Sequence, residues 1–274
     1  MLDSYTPTVL TIAGSDPYGG AGVQVDIKAI HANSGYAFSA ITALTAQNSQ
    51  GVYSVNTTDA SILKAQIDVI LDDIDVDAIK IGMLGSKEIV EVVVDSIKRY
   101  NLKNIVLDTV IVSSSGKRLL DLSALDIFKY QLIPLVDMIT PNLLEINTLT
   151  DGSFEGLESE IESISNALLR LGSKSVLIKG GHFQNSSKSI DILVQKDKIP
   201  QFFSSQRVNT THTHGTGCIL SSSIATNLAK GYSISKSVEL AKKYLTDSMK
   251  NSNSLRFKYK NSELKRHEAI KVML

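Results

Sequence analysis

Six residues, Thr213-His214-Gly215-Thr216-Gly217-Cys218, lead straight into the apolar run Ile219-Leu220-Ser221-Ser222-Ser223-Ile224-Ala225. Two glycines let the backbone come close to a ligand, and the run behind them starts a helix, whose unpaired N–H groups and positive end then face one point. This is an anion hole formed by Gly215, Thr216 and Gly217. A thiol in the first turn, Cys218, sits in the same field, which favours thiolate and prepares it to take a proton from an alcohol. The chemistry implied is phosphoryl transfer to a hydroxyl, set against the plainer alternative of a Gly-capped turn with a small buried cysteine.

Further groups suit the same chemistry. Asp108, Asn142 and Glu145 stand at or just beyond apolar strands, in Leu107-Asp108-Thr109-Val110 and Pro141-Asn142-Leu143-Leu144-Glu145. Hard oxygen ligands of this kind hold Mg²⁺ together with waters and substrate phosphates, with Asp108 and Glu145 as the candidates, although Glu145 also fits an ordinary first helical turn. Lys179 ends the apolar run Val176-Leu177-Ile178, where a phosphate partner would account for a lysine. Gln47, in Thr45-Ala46-Gln47-Asn48, follows an apolar strand and presents a donor and an acceptor in one plane, matching the N–C–NH₂ edge of an aminopyrimidine, while as an isolated residue it reads as surface. Met83 reads as core or as the cover of an aromatic ring. The loop Gly14-Ser15-Asp16-Pro17-Tyr18-Gly19-Gly20-Ala21-Gly22 gives a backbone wall for a flat substrate, starting at Gly14, with Asp26 as an acceptor on the helix behind it. It lacks the third glycine of a dinucleotide fingerprint, and no GxxxxGK[ST] occurs, so dehydrogenase and P-loop readings lose ground. His182, His212 and His214 lie near glycine loops without metal-ligand spacing and read as loop hydrogen-bonders.

The elements that must position these groups alternate. Short β-branched runs at Val9–Ala13, Ala78–Gly82, Ile105–Asp108, Met138–Thr140 and Val176–Lys179 read as buried parallel strands, with helical spacing between them, as in Ile62, Ala65, Ile67, Ile70 and Leu71. The order is βαβα, an α/β fold with helices on both faces and ligands at the carboxyl ends of the strands. Asp191–Val194 fits an edge hairpin or a crossing strand equally. The chain has 274 residues, 43% hydrophobic and 20% charged, enough for one large core in one domain spanning 1–274. With 28 basic and 28 acidic residues there is no global field to draw in nucleic acid or a membrane surface, so a small-molecule partner is expected. One cysteine, no signal-like start and no apolar run of ~18 residues point to the cytoplasm. Residues 251–274 carry six Lys/Arg and two Glu and read as a solvated helix or frayed tail rather than a nucleic-acid arm.

Taken together, Leu10-Thr11-Ile12-Ala13-Gly14-Ser15-Asp16-Pro17, Gly19-Gly20-Ala21-Gly22-Val23-Gln24, Ile41-Thr42-Ala43-Leu44-Thr45-Ala46-Gln47-Asn48, Lys80-Ile81-Gly82-Met83-Leu84-Gly85, Thr140-Pro141-Asn142, Lys179-Gly180-Gly181-His182 and His214-Gly215-Thr216-Gly217-Cys218 make the chain resemble the bacterial hydroxymethylpyrimidine/phosphomethylpyrimidine kinases of thiamin synthesis, over roughly residues 8 to 250. The resemblance implies a three-layer αβα ribokinase-like fold with a central, mostly parallel sheet, and a homodimer. It also implies use of ATP with Mg²⁺ to phosphorylate 4-amino-5-hydroxymethyl-2-methylpyrimidine and then its monophosphate. By position, Gln47 and Asp26 bind the pyrimidine, Met83 covers it, Gly215 to Cys218 form the anion hole and Cys218 is the base. Pyridoxine/pyridoxal kinase of the same superfamily is the rival reading, and a non-catalytic pyrimidine sensor a more distant one, disfavoured by the set Asn142, Glu145, Lys179 and Cys218. Three departures from the family pattern stand out: Asp108-Thr109-Val110 replaces Asp-Pro-Val, Asn209-Thr210-Thr211-His212 replaces Asp-Thr-Lys-Asn, and no Gly-His-Gly-Pro segment follows Ser254.

Overall fold

The computed structural model describes residues 5–113, 116–180, 187–261, 264 and 266–273. The predicted buried runs appear as β1 (Thr8–Ser15), β4 (Ala78–Ile81), β5 (Ile105–Leu107), β6 (Met138–Ile139) and β7 (Ser175–Ile178). With β2 (Tyr36–Asn48), β3 (Gly51–Thr57), β8 (Lys188–Gln195) and β9 (Gln201–Gln206) they form a nine-stranded sheet ordered β3-β2-β1-β4-β5-β6-β7-β8-β9. The six central strands are parallel, and β3, β8 and β9 are joined to them antiparallel at the two edges. Asp191–Val194 thus lies in an antiparallel hairpin.

Strand side chains alternate in direction, and the core divides accordingly. Leu10, Ile12, Ile79, Ile81 and Leu107 pack on one face against helices α2 (Ala60–Leu71), α3 (Lys87–Tyr100), α4 (Leu125–Ile127), α5 (Leu143–Thr150) and α6 (Ile161–Leu169). Val9, Ala78, Val106 and Leu177 face the other way, onto α1 (Gly22–Ala32), α7 (Thr216–Ala229) and α8 (Ile234–Asn251). The three-layer αβα arrangement follows from this alternation, and no helix among the described residues is long and apolar enough to cross a membrane. Helix α7 is buried from Ile219 to Leu228, which explains why its sequence is apolar or small on all sides.

The same alternation places Lys80, two residues after Ala78, inside the layer between β4, α1 and α7. Its ammonium is fully buried and meets Asp26 of α1 at 2.7 Å, also fully buried. Asp26 further accepts hydrogen bonds from Thr11 at 2.7 Å and Ser222 of α7 at 2.8 Å. Burial acts to lower the Lys80 pKa, but Asp26, with Cys218 and Asp108 beyond it, holds it above the usual lysine range. Removing one member leaves the other charge uncompensated, so Asp26→Ala is expected to cost about 3–5 kcal/mol of stability in urea unfolding, and the pair replacement Asp26→Leu with Lys80→Met far less. A single-variant loss below about 1 kcal/mol would contradict a buried ion pair here.

Candidate active site

At the carboxyl ends of the central strands lies a cavity of about 820 Å³ whose lining includes Gly14, Gln47, Met83, Asp108, Lys179 and Cys218. Two helix N-termini approach each other there. Gly215 is the N-cap of α7, at φ 85°, and its Cα is so close to Gly20 that an added Cβ would lie 1.8 Å from the Gly20 carbonyl oxygen. Gly22, at φ 58°, opens α1, and a Cβ there would lie 2.3 Å from the Gly14 oxygen. Only glycine fits either position, by conformation and by space. The loop between them is held by Asp16, whose carboxylate accepts N–H bonds from Tyr18, Gly20 and Ala21 at 2.8, 3.0 and 2.8 Å and meets His214 Nε2 at 2.9 Å. Burial works to raise the Asp16 pKa, but His214 and the loop amides outweigh it and hold the carboxyl below its ordinary range.

The amides of Thr216, Gly217 and Cys218 open α7 without intrahelical acceptors, where an anion hole was expected from the sequence. The groups predicted to act on phosphate surround it. A Cβ on Gly217 would lie 3.0 Å from Asp108 Oδ2 and 3.5 Å from Lys179 Nζ, so both side chains sit directly beside the hole. Lys179 pairs with Asp108 at 3.0 Å and with Glu145 at 3.6 Å. Asn142 and Glu145 form a reciprocal capping box at the start of α5, the helical role foreseen for Glu145, yet both also line the cavity. Thr109 adds a hydrogen bond to Glu145 at 2.9 Å, a contact that the proline of the family pattern has no hydroxyl to make. Burial pushes the Glu145 carboxyl up, to about 7, with Lys179 opposing the shift and the Asp108 charge adding to it. Two carboxylates facing one ammonium leave a net negative site of hard oxygens. No group of three or more metal-ligating residues occurs among the described residues, so a cation here would take most of its ligands from water and phosphate, the usual habit of Mg²⁺.

Gly14, Met83 and Gln47 line the cavity together, with two corrections to the sequence reading. Met83 packs against Gly14, where a Cβ would lie 3.3 Å from Met83 Cε, and its carbonyl accepts the Thr42 hydroxyl at 2.6 Å. Gln47 lies within β2, not after it, because β2 runs on into a hairpin with β3. Its carboxamide reaches the cavity half-buried. Asp26 does not reach the cavity: its two oxygens are engaged by Lys80, Thr11 and Ser222 under the floor, so it orders the layer beneath instead of touching a ligand.

A third correction concerns Cys218. The sulfur faces the Gly22 amide, and Lys80 favours its ionised form, but burial, with the charges of Asp26 and Asp108, pushes the thiol up to about 12. The helix-end field is outweighed by desolvation, and the resting group is a thiol, not the thiolate expected from its position.

Other contributors escaped the sequence reading. Lys80 lines the cavity floor, and its signal was a charge inside the unbroken apolar run of β4, which demands a buried partner. Asp191 accepts the Gly180 N–H at 3.0 Å and pairs with Lys242 of α8 at 2.7 Å, fixing the backbone next to Lys179; both are buried. His214 and His212 are loop hydrogen-bonders as expected, while His182 lies outside the described residues. Near the C-terminus, residues read from sequence as a solvated helix or frayed tail include a strand. Glu268–Ala269 (β11) pairs with β10 (His212–His214), and Ile270 is buried in the α1/α7/α8 layer.

Comparison with known proteins agrees with this geometry. The hydroxymethylpyrimidine/phosphomethylpyrimidine kinase of Salmonella typhimurium is 42% identical over 246 residues, 90% of this chain and 92% of that protein. The crystal structure of a phosphomethylpyrimidine kinase from Clostridium difficile superposes with a TM-score of 0.78 at 40% identity, covering 89% of this chain and all of that one. An ADP complex of Bacillus subtilis pyridoxal kinase gives a TM-score of 0.85 at 30% identity over 98% of both chains. The layering is the ribokinase-like one shared by these neighbours. Residues 16–264 match the model of the phosphomethylpyrimidine kinase family, and the chain belongs to that family.

Proposed function

We propose that this chain uses ATP to phosphorylate 4-amino-5-hydroxymethyl-2-methylpyrimidine and then its monophosphate. One observation carries the reading: a single cavity holds the α7 anion hole beside Lys179, Asp108 and Glu145, together with a flat-ring wall of Gly14, Met83 and Gln47. A phosphoryl group held at the α7 amides would lie next to the Lys179 ammonium, the point charge suited to a donor phosphate, with Asn142 at the same mouth. Burial beside Asp108 and Glu145 acts on Lys179 in opposite senses, and the carboxylates win, so it stays charged. Asp108 and Glu145 are the residues that would hold Mg²⁺, which when bound bridges and neutralises phosphate oxygens. The ring wall sets the acceptor hydroxymethyl toward the anion hole, and Lys80 and Asp26 keep the floor beneath it fixed and dry. Cytoplasmic residence and a homodimer complete the reading; the first is supported by a lone, unpaired cysteine and the second by the family resemblance.

The state of Cys218 refines the proton path. In a loose phosphoryl-transfer transition state most of the work is positioning and charge stabilisation, so the alcohol proton needs no strong base. A thiol at the hole hydrogen-bonds the alcohol, and the proton passes to the transferring phosphoryl oxygens. Iodoacetamide should therefore modify Cys218 slowly near pH 8, at a rate still climbing beyond pH 10, and Cys218→Ser should retain kcat within about tenfold. A fast plateau near pH 7, or a loss above the roughly hundredfold typical of a removed general base, would restore the thiolate.

Gly217→Val tests the anion hole. Its branched side chain would enter the space shared by Asp108 and Lys179, and loss of such a contact set costs about 10²–10³ in rate. The expected result is kcat reduced by that factor with a circular dichroism spectrum like wild type; unchanged kcat would remove the hole from the mechanism.

Substrate choice rests on Gln47. Its amide can pair with the ring nitrogen and the exocyclic amine of the pyrimidine together, whereas pyridoxal leaves one of these groups unmatched, a deficit of about 1–3 kcal/mol. In a panel with MgATP, kcat/KM should favour the pyrimidine alcohol roughly tenfold to hundredfold, and Gln47→Ala should erase the preference. Better turnover of pyridoxal by wild type would favour the pyridoxal kinase reading instead.

A further inference from the structure

The family match ends at residue 264, and the segment that pairs as β11 lies beyond it. Together with Tyr259, that segment touches three loops around the acceptor side of the cavity. At β10, His212 Nδ1 donates to the Ala269 carbonyl at 2.6 Å, and the Glu268 N–H donates to the Thr211 carbonyl at 3.3 Å, just before the chain turns into Gly215. At the glycine-rich loop, the Ala269 methyl lies 3.1 Å from where a Cβ of Gly20 would stand, and the Tyr18 and Tyr259 hydroxyls are 2.8 Å apart. At the turn between β2 and β3, two residues past Gln47, the His267 N–H donates to the Ser49 carbonyl at 2.7 Å and Arg266 Nη1 to the Ser49 hydroxyl at 3.1 Å. Arg266 also stacks over the Tyr259 ring at 3.9 Å, linking the last two attachments. Beyond these, Ile270 is buried and the Met273 carbonyl accepts the Tyr244 hydroxyl at 2.9 Å, so the segment is anchored in the α8 layer rather than resting on the loops alone.

We propose that the C-terminal segment, through Tyr259, Arg266, His267 and Ala269, is a positioning strap that fixes the glycine-rich loop, the approach to the anion hole and the Gln47 turn relative to one another. None of these three loops is held to the others by the central sheet at its tip: each leaves the sheet from a different strand end. Asp16 and His214 link the first two directly, and a strap anchored in the α8 layer adds cross-links among all three. The donor side has its own supports, the Lys179 triad with Asp108 and Glu145 and the Asp191 bond to Gly180, and makes no use of the strap. The strap therefore acts on the acceptor pocket selectively.

The test uses the full chain carrying Arg266→Ala with Tyr259→Ala, which removes the side-chain attachments to Tyr18 and Ser49 but leaves the backbone bonds of His267 and Glu268 and the buried Ile270 in place, and the milder Arg266→Lys, whose ammonium loses the planar stack on Tyr259. Amide exchange should quicken at Gly20, Ala21 and the Ser49 turn and stay as in wild type at Gly180 and in α3. With MgATP, KM for the pyrimidine alcohol should rise about tenfold while KM for ATP and the melting temperature hold, with Arg266→Lys intermediate. Exchange that is unchanged at these loops, or faster throughout the protein, overturns the strap, as does an unaltered acceptor KM. The choice of acceptor rests on the kinase reading: a wild-type chain that does not phosphorylate the pyrimidine sinks that reading, and the exchange comparison still decides the strap.

Discussion

The site depends on one close approach of backbone to backbone. Gly215 rests on the carbonyl of Gly20, and Gly22 on that of Gly14, with no room for a methyl group at either contact. This contact brings the N-termini of α1 and α7 to the same place at the ends of the central strands, so their unpaired amides and positive ends add. Fixed dipoles of this kind need no reorganisation when charge develops on a transferring group, which is why the fold spends conformationally costly glycines here. Asp16 stabilises the arrangement from within, exchanging the desolvation of its own carboxylate for loop amides and His214.

Around that contact the buried charges form two wells with different tasks. Lys80 and Asp26 match one to one, and three neutralising contacts to Asp26 leave nothing to offer a ligand. That pair joins β4, α1 and α7 and insulates the floor. Lys179, Asp108 and Glu145 do not match: two carboxylates share one ammonium, and Glu145 responds with a raised pKa. An unbalanced, partly exposed set is suited to exchange its internal pairing for a cation and phosphate oxygens, whereas a balanced, sealed one is suited to hold helices in place. Cys218 lies between the wells, where burial, against Lys80 and aided by Asp26 and Asp108, raises its pKa.

How much of this the sequence revealed varies with the range of the interaction. Strand alternation and helical spacing are local, so the parallel core of β1, β4, β5, β6 and β7, the helix after Cys218 and the place of Glu145 in a first helical turn could be read directly. That Gly215 to Cys218, Lys179, Gly14 and Met83 would meet at one cavity was legible for the same reason: glycine and charge beside an apolar run stand out without knowledge of what lies opposite. The hairpin of β8 and β9 was ambiguous because Asp191–Val194 alternates too weakly in sequence to mark one face, and all four residues are buried.

Tertiary structure alone decided three matters. Asp26 was legible as an acceptor but not as the partner of Lys80, since the two are 54 residues apart and meet only because β4 directs Lys80 toward α1. The ionisation of Cys218 could not follow from its place in a helix, because burial and the carboxylates of distant elements outweigh the local dipole. The basic, polar C-terminal segment carried no local pattern, and its order arises from backbone pairing with β10 and from Ile270 entering a pocket made by other elements. Sequence fixes what is periodic and covalently near; desolvation, long-range pairing and docked segments depend on which atoms the fold places opposite one another.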